Sequence, residues 1–411
     1  MTPAVAIVGG GPAGLACALE LRRRGVDDVV VLEREARAGG IPRHCGHQGF
    51  GLRDLRRLLS GPAYARRYAE LARAAAVDVR EETMVTGWST DGALEVTSPR
   101  GRETLRARAV VLATGCRERP RAARLVPGSR PAGVLTTGML QQLVELWGGQ
   151  VGTRALVVGA EHVSFSALLA LADAGAKTIG MVTDLPRHQS LALVRAGAAV
   201  RYRTPVWTRT AVAAIWGRAR VEEVELVDLG SGRRRRVSCD TVVFTGEWIP
   251  DHELAVAAGL TLDDGTRGPQ VDTALRTSRR ATFAAGNLLH GAEPADVAAL
   301  GGRHCGASVA RWVAGDGEWA PQVPIVCRPP LHWIAPNAIA PGRERPPRRR
   351  FALRSREFRT RPQVEIRQDG RLLRRGRVAR FVPGRSASMP CDWLDRVDAD
   401  GGPVEVVLPR S

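Results

Sequence analysis

Lysine is almost missing from this 411-residue chain: Lys177 stands alone among 60 basic residues, and the other 59 are arginine. Such a bias fits GC-rich codon usage better than any one function. Aromatic residues are also scarce, with three Tyr and seven Phe, too few for the stacking platforms that hold single-stranded nucleic acid. No apolar run reaches the roughly 18–20 residues that a transmembrane helix needs, so no integral membrane segment is expected. The apolar start Ala4–Leu19 lacks a basic leader and is interrupted by Gly9, Gly10 and Gly11, which argues against a secretory signal. The seven cysteines (17, 45, 116, 239, 305, 327 and 391) contain no C-x-x-C pair. A zinc ribbon and a dithiol motif are thereby excluded, and a reducing, cytoplasmic setting is expected.

What remains is a globular composition, 44% hydrophobic and 25% charged, with room for two or three domains. The net charge of +18 is uneven. Between Arg343 and Arg385, 16 Arg face Glu344, Glu357, Glu365 and Asp369, an excess of +12. Any electrostatic partner belongs there, although a solvated basic face explains the run equally simply. Nucleic acid is not expected as a partner, since only Phe351, Phe358 and Phe381 interleave these arginines.

The chain opens with a βαβ pattern. Val5–Val8 reads as a buried strand, Gly9–Gly14 as a turn, Leu15–Arg24 as a helix and Val29–Leu32 as the next strand. Gly9-x-Gly11-x-x-Gly14 then gives a tight turn, a close backbone approach to a pyrophosphate, and close helix–strand packing. Glu33, 19 residues beyond Gly14, is placed to accept hydrogen bonds from a ribose. A dinucleotide therefore binds at the N-terminal unit. A second βαβ pattern starts at Ala155–Gly159 but reads Gly159-x-Glu161-x-x-Ser164, followed by Thr183-Asp184. A carboxylate at the middle position repels a pyrophosphate, so the second nucleotide site reads as degenerate and NAD(P) is doubtful as a cofactor.

Three segments carry a resemblance: Val8–Gly14, Ala113-Thr114-Gly115 and Phe283–Asn287. Together they resemble the pyridine nucleotide–disulfide oxidoreductase superfamily, the flavoproteins with two dinucleotide-binding domains. The resemblance implies FAD at Gly9, Gly11, Pro12, Ala13, Gly14, Glu33 and Arg34. It also implies contacts from Gly40, Ile41, Val85, Ala113, Thr114 and Gly115. At the flavin end, Gly286 and Asn287 would hold the ribityl chain, with Asn287 replacing the usual Asp. Backbone N–H groups of Asp296 and Val297 would face the flavin from a helix start. The implied fold is α/β, with two interleaved Rossmann-like domains and a small C-terminal β-rich domain. Its boundaries are expected at 1–149 and 265–316 for the FAD domain, 150–264 for the degenerate domain, and 320–411 for the basic β domain.

Where disulfide reductases of this superfamily carry their redox cysteines, this chain has Pro42 and His47. Cys45 is a lone thiol there, a thiolate if Arg43 and His44 lower its pKa, or simply a packed residue. His44 and His47 are candidate acid/base groups. As a metal site, His44, Cys45 and His47 lack a fourth ligand, so no metal is expected. The runs Gly39–Gly51, Ala113–Pro120 and Gly133–Gly138 further resemble flavoprotein subunits of bacterial multi-subunit amino-acid and opine dehydrogenases, and chains that accompany glycerol-3-phosphate dehydrogenase-like flavoproteins. That resemblance implies an FAD-dependent dehydrogenase subunit for a small amine, amino acid or polyol, passing electrons to a partner subunit. Two other readings stay open: an NAD(P)H-dependent flavin reductase, and a binding module with a vestigial flavin site.

Overall fold

The computed structural model describes residues 3–190, 202–291, 293–316, 319, 321–340 and 344–409. Arg343, counted in the basic stretch, lies outside the described residues. The chain forms two compact units. The first comprises residues 1–43, 48–116 and 250–411, and the second residues 44–47 and 117–249.

The first unit is organised by a parallel sheet in the order Thr282–Ala284, Ala109–Leu112, Val5–Val8, Val29–Leu32, Asp78–Arg80. Its three inner strands are buried throughout, which is why they read as unbroken apolar runs rather than alternating ones. Helix Pro12–Arg23 follows the first strand, and helix Ala295–Ala314 follows the last. These two helices pack closely because the second presents glycine to the first. A Cβ on Gly302 would stand 2.8 Å from Ala13 Cα, and one on Gly306 would stand 2.7 Å from the Cys17 carbonyl oxygen.

Residues 321–409 of the same unit are β-rich. A five-stranded sheet runs in the order Ala338–Ile339, Val323–Cys327, Val404–Val407, Gln363–Gln368, Arg371–Arg377. A three-stranded sheet is formed by Leu331–Ala335, Arg350–Ser355 and Ala387–Pro390. Both sheets feed one apolar core, with Phe351 and Trp393 tilted against each other at 5.2 Å. The core does not isolate this region from the Rossmann-like part. The Asn337 side chain accepts the Val271 amide at 2.8 Å, the Thr273 hydroxyl accepts that of Ala340 at 3.1 Å, and Arg311 pairs with Glu344 at 2.7 Å.

The second unit repeats the parallel theme. Its sheet runs Val134–Thr136, Thr241–Phe244, Arg154–Val158, Lys177–Val182, Val206–Trp207, with helix His162–Asp173 after the third of these strands and an antiparallel meander over 210–238. Because Val134–Thr136 pairs with Thr241–Phe244, residues 117–149 join this unit, on the far side of the boundary expected at 149/150. Among the described residues no helix is long and apolar enough to cross a membrane.

Gly301 and Gly302 allow the helix contact to be tested. In an exposed helix Gly→Ala gains about 1 kcal/mol, and a Cβ on Gly301 meets nothing within 4 Å. Gly301→Ala should therefore leave stability unchanged or raise it. At Gly302 the obstacle is backbone, which cannot swing aside, and overpacking of this kind costs about 1–3 kcal/mol. Gly302→Ala should lower the denaturation midpoint; equal midpoints for the two variants would refute the packing argument.

Candidate cofactor site

The first cradle is built from the ends of three neighbouring strands. Gly9 follows Val5–Val8 at φ 107°, and a Cβ there would lie 2.5 Å from the Ala113 carbonyl oxygen. Gly11 caps helix Pro12–Arg23 with no side-chain hydrogen bond to the first turn, so the helix start offers amides rather than consuming them. Gly40, at φ 61°, approaches so closely that a Cβ would be 2.9 Å from Gly11 Cα. Ala13 packs against Gly286, where a Cβ would be 2.6 Å away. Glu33 ends the second strand. Its carboxylate accepts the Gly10 amide at 2.8 Å and the Glu35 amide at 2.9 Å, and burial holds its pKa above the ordinary value.

The other expected FAD contacts lie in the same unit. Arg34 is exposed, Val85 is buried, and Ile41 is exposed at the start of a short 3-10 turn, Ile41–His44. The Ala113 amide donates to Val8, and the Thr114 hydroxyl donates to the Asp251 carbonyl at 2.7 Å. The Gly115 carbonyl accepts the Asp251 amide at 3.0 Å. Glu33 and Gly286-Asn287 fall on opposite sides of Gly9 along the strand order. The carboxyl ends of the sheet thus place an acid on one side of the Gly9 turn and Gly286-Asn287 on the other, an order that suits an extended dinucleotide.

Two details depart from expectation. Both ends of the Asn287 amide are engaged by Glu293: its N–H donates to the Glu293 carbonyl and its oxygen accepts the Glu293 amide, each at 3.1 Å. Asn in place of Asp therefore closes the 287–293 loop on itself, a role that needs both a donor and an acceptor. The Val297 amide is likewise committed, donating to the Pro294 carbonyl at 3.0 Å. Its expected neighbour Asp296 is buried and pairs through its carboxylate with Arg53 at 3.0 Å.

In the second unit the anion position is filled from within. Glu161 caps helix His162–Asp173, accepting the Ala160 amide at 3.0 Å and the Thr245 hydroxyl at 2.7 Å. Ser164, at the third glycine position, accepts the Glu161 amide and shares a 2.7 Å bond with the Thr245 hydroxyl. Burial raises the Glu161 pKa. Nearby, Glu118 accepts the Gly138 amide at 2.7 Å and the Gly246 amide at 3.3 Å, and burial pushes its pKa up to about 7.

His44, Cys45 and His47 also belong to the second unit. Cys45 is not a thiolate. Its buried thiol donates to the Gln141 side-chain oxygen at 3.5 Å, and burial, with the charges of Glu118 and Glu145, pushes its pKa up to about 12. Burial and these distant acids outweigh the basic sequence neighbours Arg43 and His44. His44 is buried, and His47 bonds the Ser166 hydroxyl through Nε2 at 3.1 Å. No cluster of His, Cys, Asp or Glu suited to a metal ion occurs among the described residues.

Residues 3–302 match the pyridine nucleotide-disulphide oxidoreductase family, to which this chain belongs. It is an FAD-dependent oxidoreductase, and the first cradle fits that cofactor. An opine oxidase subunit from Rhizobium meliloti is 28% identical over 328 residues, covering 71% of this chain and 60% of that protein. The alpha subunit of a sarcosine oxidase from Corynebacterium sp. is 30% identical over 217 residues, covering 49% of this chain and 21% of that one. The chain thus spans about three fifths of the length of the first relative and a fifth of the second. Thioredoxin reductase of T. acidophilum shares the fold, with a TM-score of 0.63 and 22% identity over 76% of this chain and 99% of that one.

Sequence reading missed the partners that come from far along the chain: Arg53 at Asp296, Thr245 at Glu161, and Glu118 and Glu145 at Cys45. No local signal marks any of these pairs.

Two outcomes follow from this geometry. Near pH 8 a group with the Cys45 pKa holds roughly a thousandfold less thiolate than a free cysteine. Alkylation mapped by mass spectrometry should therefore leave Cys45 unmodified in the folded protein, and rapid labelling would refute the neutral thiol. Asn287→Asp removes the donor to the Glu293 carbonyl and should destabilise the holoprotein by about 1–3 kcal/mol, visible as a lower thermal midpoint.

Proposed function

We propose that this chain is the flavoprotein subunit of a multi-subunit dehydrogenase that oxidises a small amine, amino acid or polyol and passes the electrons to a partner subunit. The observation that carries this reading is the contrast between the two nucleotide positions. The first keeps its glycines, its acid and its uncapped helix start. At the second, the Glu161 carboxylate stands at the middle glycine position and accepts the Ala160 amide and the Thr245 hydroxyl. A reductase fed by NAD(P)H requires that second position, and Glu161 opposes it by charge as well as by occupancy. The relatives named as oxidase subunits support a partnered flavoprotein. The vestigial-module reading is opposed by the intact first cradle. Seven scattered cysteines without a C-x-x-C pair support a reducing, cytoplasmic setting.

Anaerobic titration of the purified flavoprotein tests this directly. Neither NADH nor NADPH should bleach the visible flavin bands. Rapid bleaching by either nucleotide would promote the reductase reading, and a protein that neither carries FAD nor takes it up would promote the binding module.

A further inference from the structure

The C-terminal β domain delivers a cationic side chain to the loop that follows Gly286-Asn287. Arg354 and Trp333 are register partners on adjacent antiparallel strands, and the guanidinium lies over the indole at 4.8 Å. The His290 ring packs on the same indole, 4.8 Å between centroids. Glu293 completes the group, its position fixed by the Asn287 clasp.

These charged and polar groups do not satisfy one another. His290 Nδ1 and Glu293 Oε1 stand 4.0 Å apart, beyond hydrogen-bonding distance. Both atoms, and Arg354 Nε, are buried without a hydrogen-bond partner among the described residues. Among the described residues Arg354 uses one terminal nitrogen, in long contacts of 3.4 Å to the Gly291 carbonyl and 3.5 Å to the Ser386 hydroxyl. A guanidinium has five donors, and leaving buried charge so poorly paired is costly. A purely structural cluster would be expected to close its own bonds. The His290 and Glu293 side chains keep 12% and 14% of their surface exposed, so these side chains reach solvent at their edges while the unpaired atoms themselves are buried. Burial, with the Arg354 charge and against the opposing charge of Glu293, holds the His290 pKa down to about 4, which keeps its imidazole neutral, and able to accept a hydrogen bond, at neutral pH.

The unmatched inventory is one cation with spare donors, one carboxylate and one neutral imidazole. A polyol complements neither charge. A simple anion meets Arg354 but faces Glu293, and a simple amine meets Glu293 but faces Arg354. We propose that Arg354, Glu293 and His290 form a binding site for an amino acid carrying both its carboxylate and its amine, the carboxylate on the Arg354 guanidinium and the ammonium on Glu293 and His290. This narrows the substrate class of the function proposed above and rests on that reading, because the site adjoins the segment assigned to the flavin end of FAD.

Calorimetric titration of the FAD-replete protein provides the test, with L-alanine and L-proline as probes and acetate, methylamine and glycerol as controls. At least one amino acid should bind saturably, and the controls should not. Losing a charged hydrogen-bond partner costs about 1.5–3 kcal/mol, so Arg354→Gln and Glu293→Gln should each weaken binding by about tenfold or more. Arg354→Lys should retain part of the affinity, and it also serves as the folded control if Arg354→Gln does not accumulate. No saturable binding of either amino acid to FAD-replete protein would overturn the site. So would unchanged affinity in both substituted proteins, or an Arg354→Lys protein that loses FAD or changes its flavin potential without ligand, which would assign the residue to the flavin. A protein that never takes up FAD is a separate failure, read from the visible spectrum, and it strikes the proposed function instead.

Discussion

The close approach of chain segments to the backbone around Gly9 is the constraint on which the first unit depends. Gly9 lies against the Ala113 carbonyl, Gly40 against Gly11, Gly286 against Ala13, and Gly302 against Ala13 from the opposite helix. Each contact leaves no room for a Cβ, so four chain segments far apart in sequence converge on one turn. The consequence is chemical as much as steric. Side chains are excluded from the turn, and the polar surface left there is peptide N–H at a helix start, suited to diffuse negative charge. Glu33 adds the single carboxylate, anchored by the Gly10 and Glu35 amides before any ligand arrives.

The second unit solves the same topological problem in the opposite way. A strand again runs into a helix at a glycine, Gly159, but the cap residue brings its own carboxylate to the helix start. Glu161 has the sign that a helix N-terminus favours, and it takes hydrogen bonds from the Ala160 amide and the Thr245 hydroxyl. The helix start is thus capped by a carboxylate from within the unit.

The first cradle was legible in the sequence because every element of it lies within 33 residues and obeys a short spacing rule. The departures at Glu161 and Ser164 were equally legible as departures, for the same reason. What could not be read was anything decided by distant partners. Cys45 has basic neighbours in sequence, yet burial, with the charges of Glu118 and Glu145 brought near by the fold, raises its pKa. Asn287 looked like a weakened ribityl ligand, and its bonds to Glu293 give a reason for the amide that no one-residue comparison contains. The helix start after Pro294 was expected to offer two amides, and a 3-10-like bond at Val297 uses one of them.

The basic C-terminal domain illustrates how composition can mislead about purpose. Its excess charge suggested a surface for an electrostatic partner, but much of it is engaged locally. Glu365 holds both Arg367 and Arg375, Asp392 holds Arg374, and Asp395 holds Arg345. Surface pairs of this sort contribute little stability individually, but they reduce the field available to a distant partner. Arg354 differs from them in having no carboxylate within bonding distance among the described residues, and it is the one that faces the 287–293 loop. Asn337, Thr273 and the Arg311–Glu344 pair tie this domain to the flavoprotein core at several points. The domain is therefore joined to the Rossmann-like part at several points, and its Arg354 guanidinium lies beside Gly291 and over Trp333.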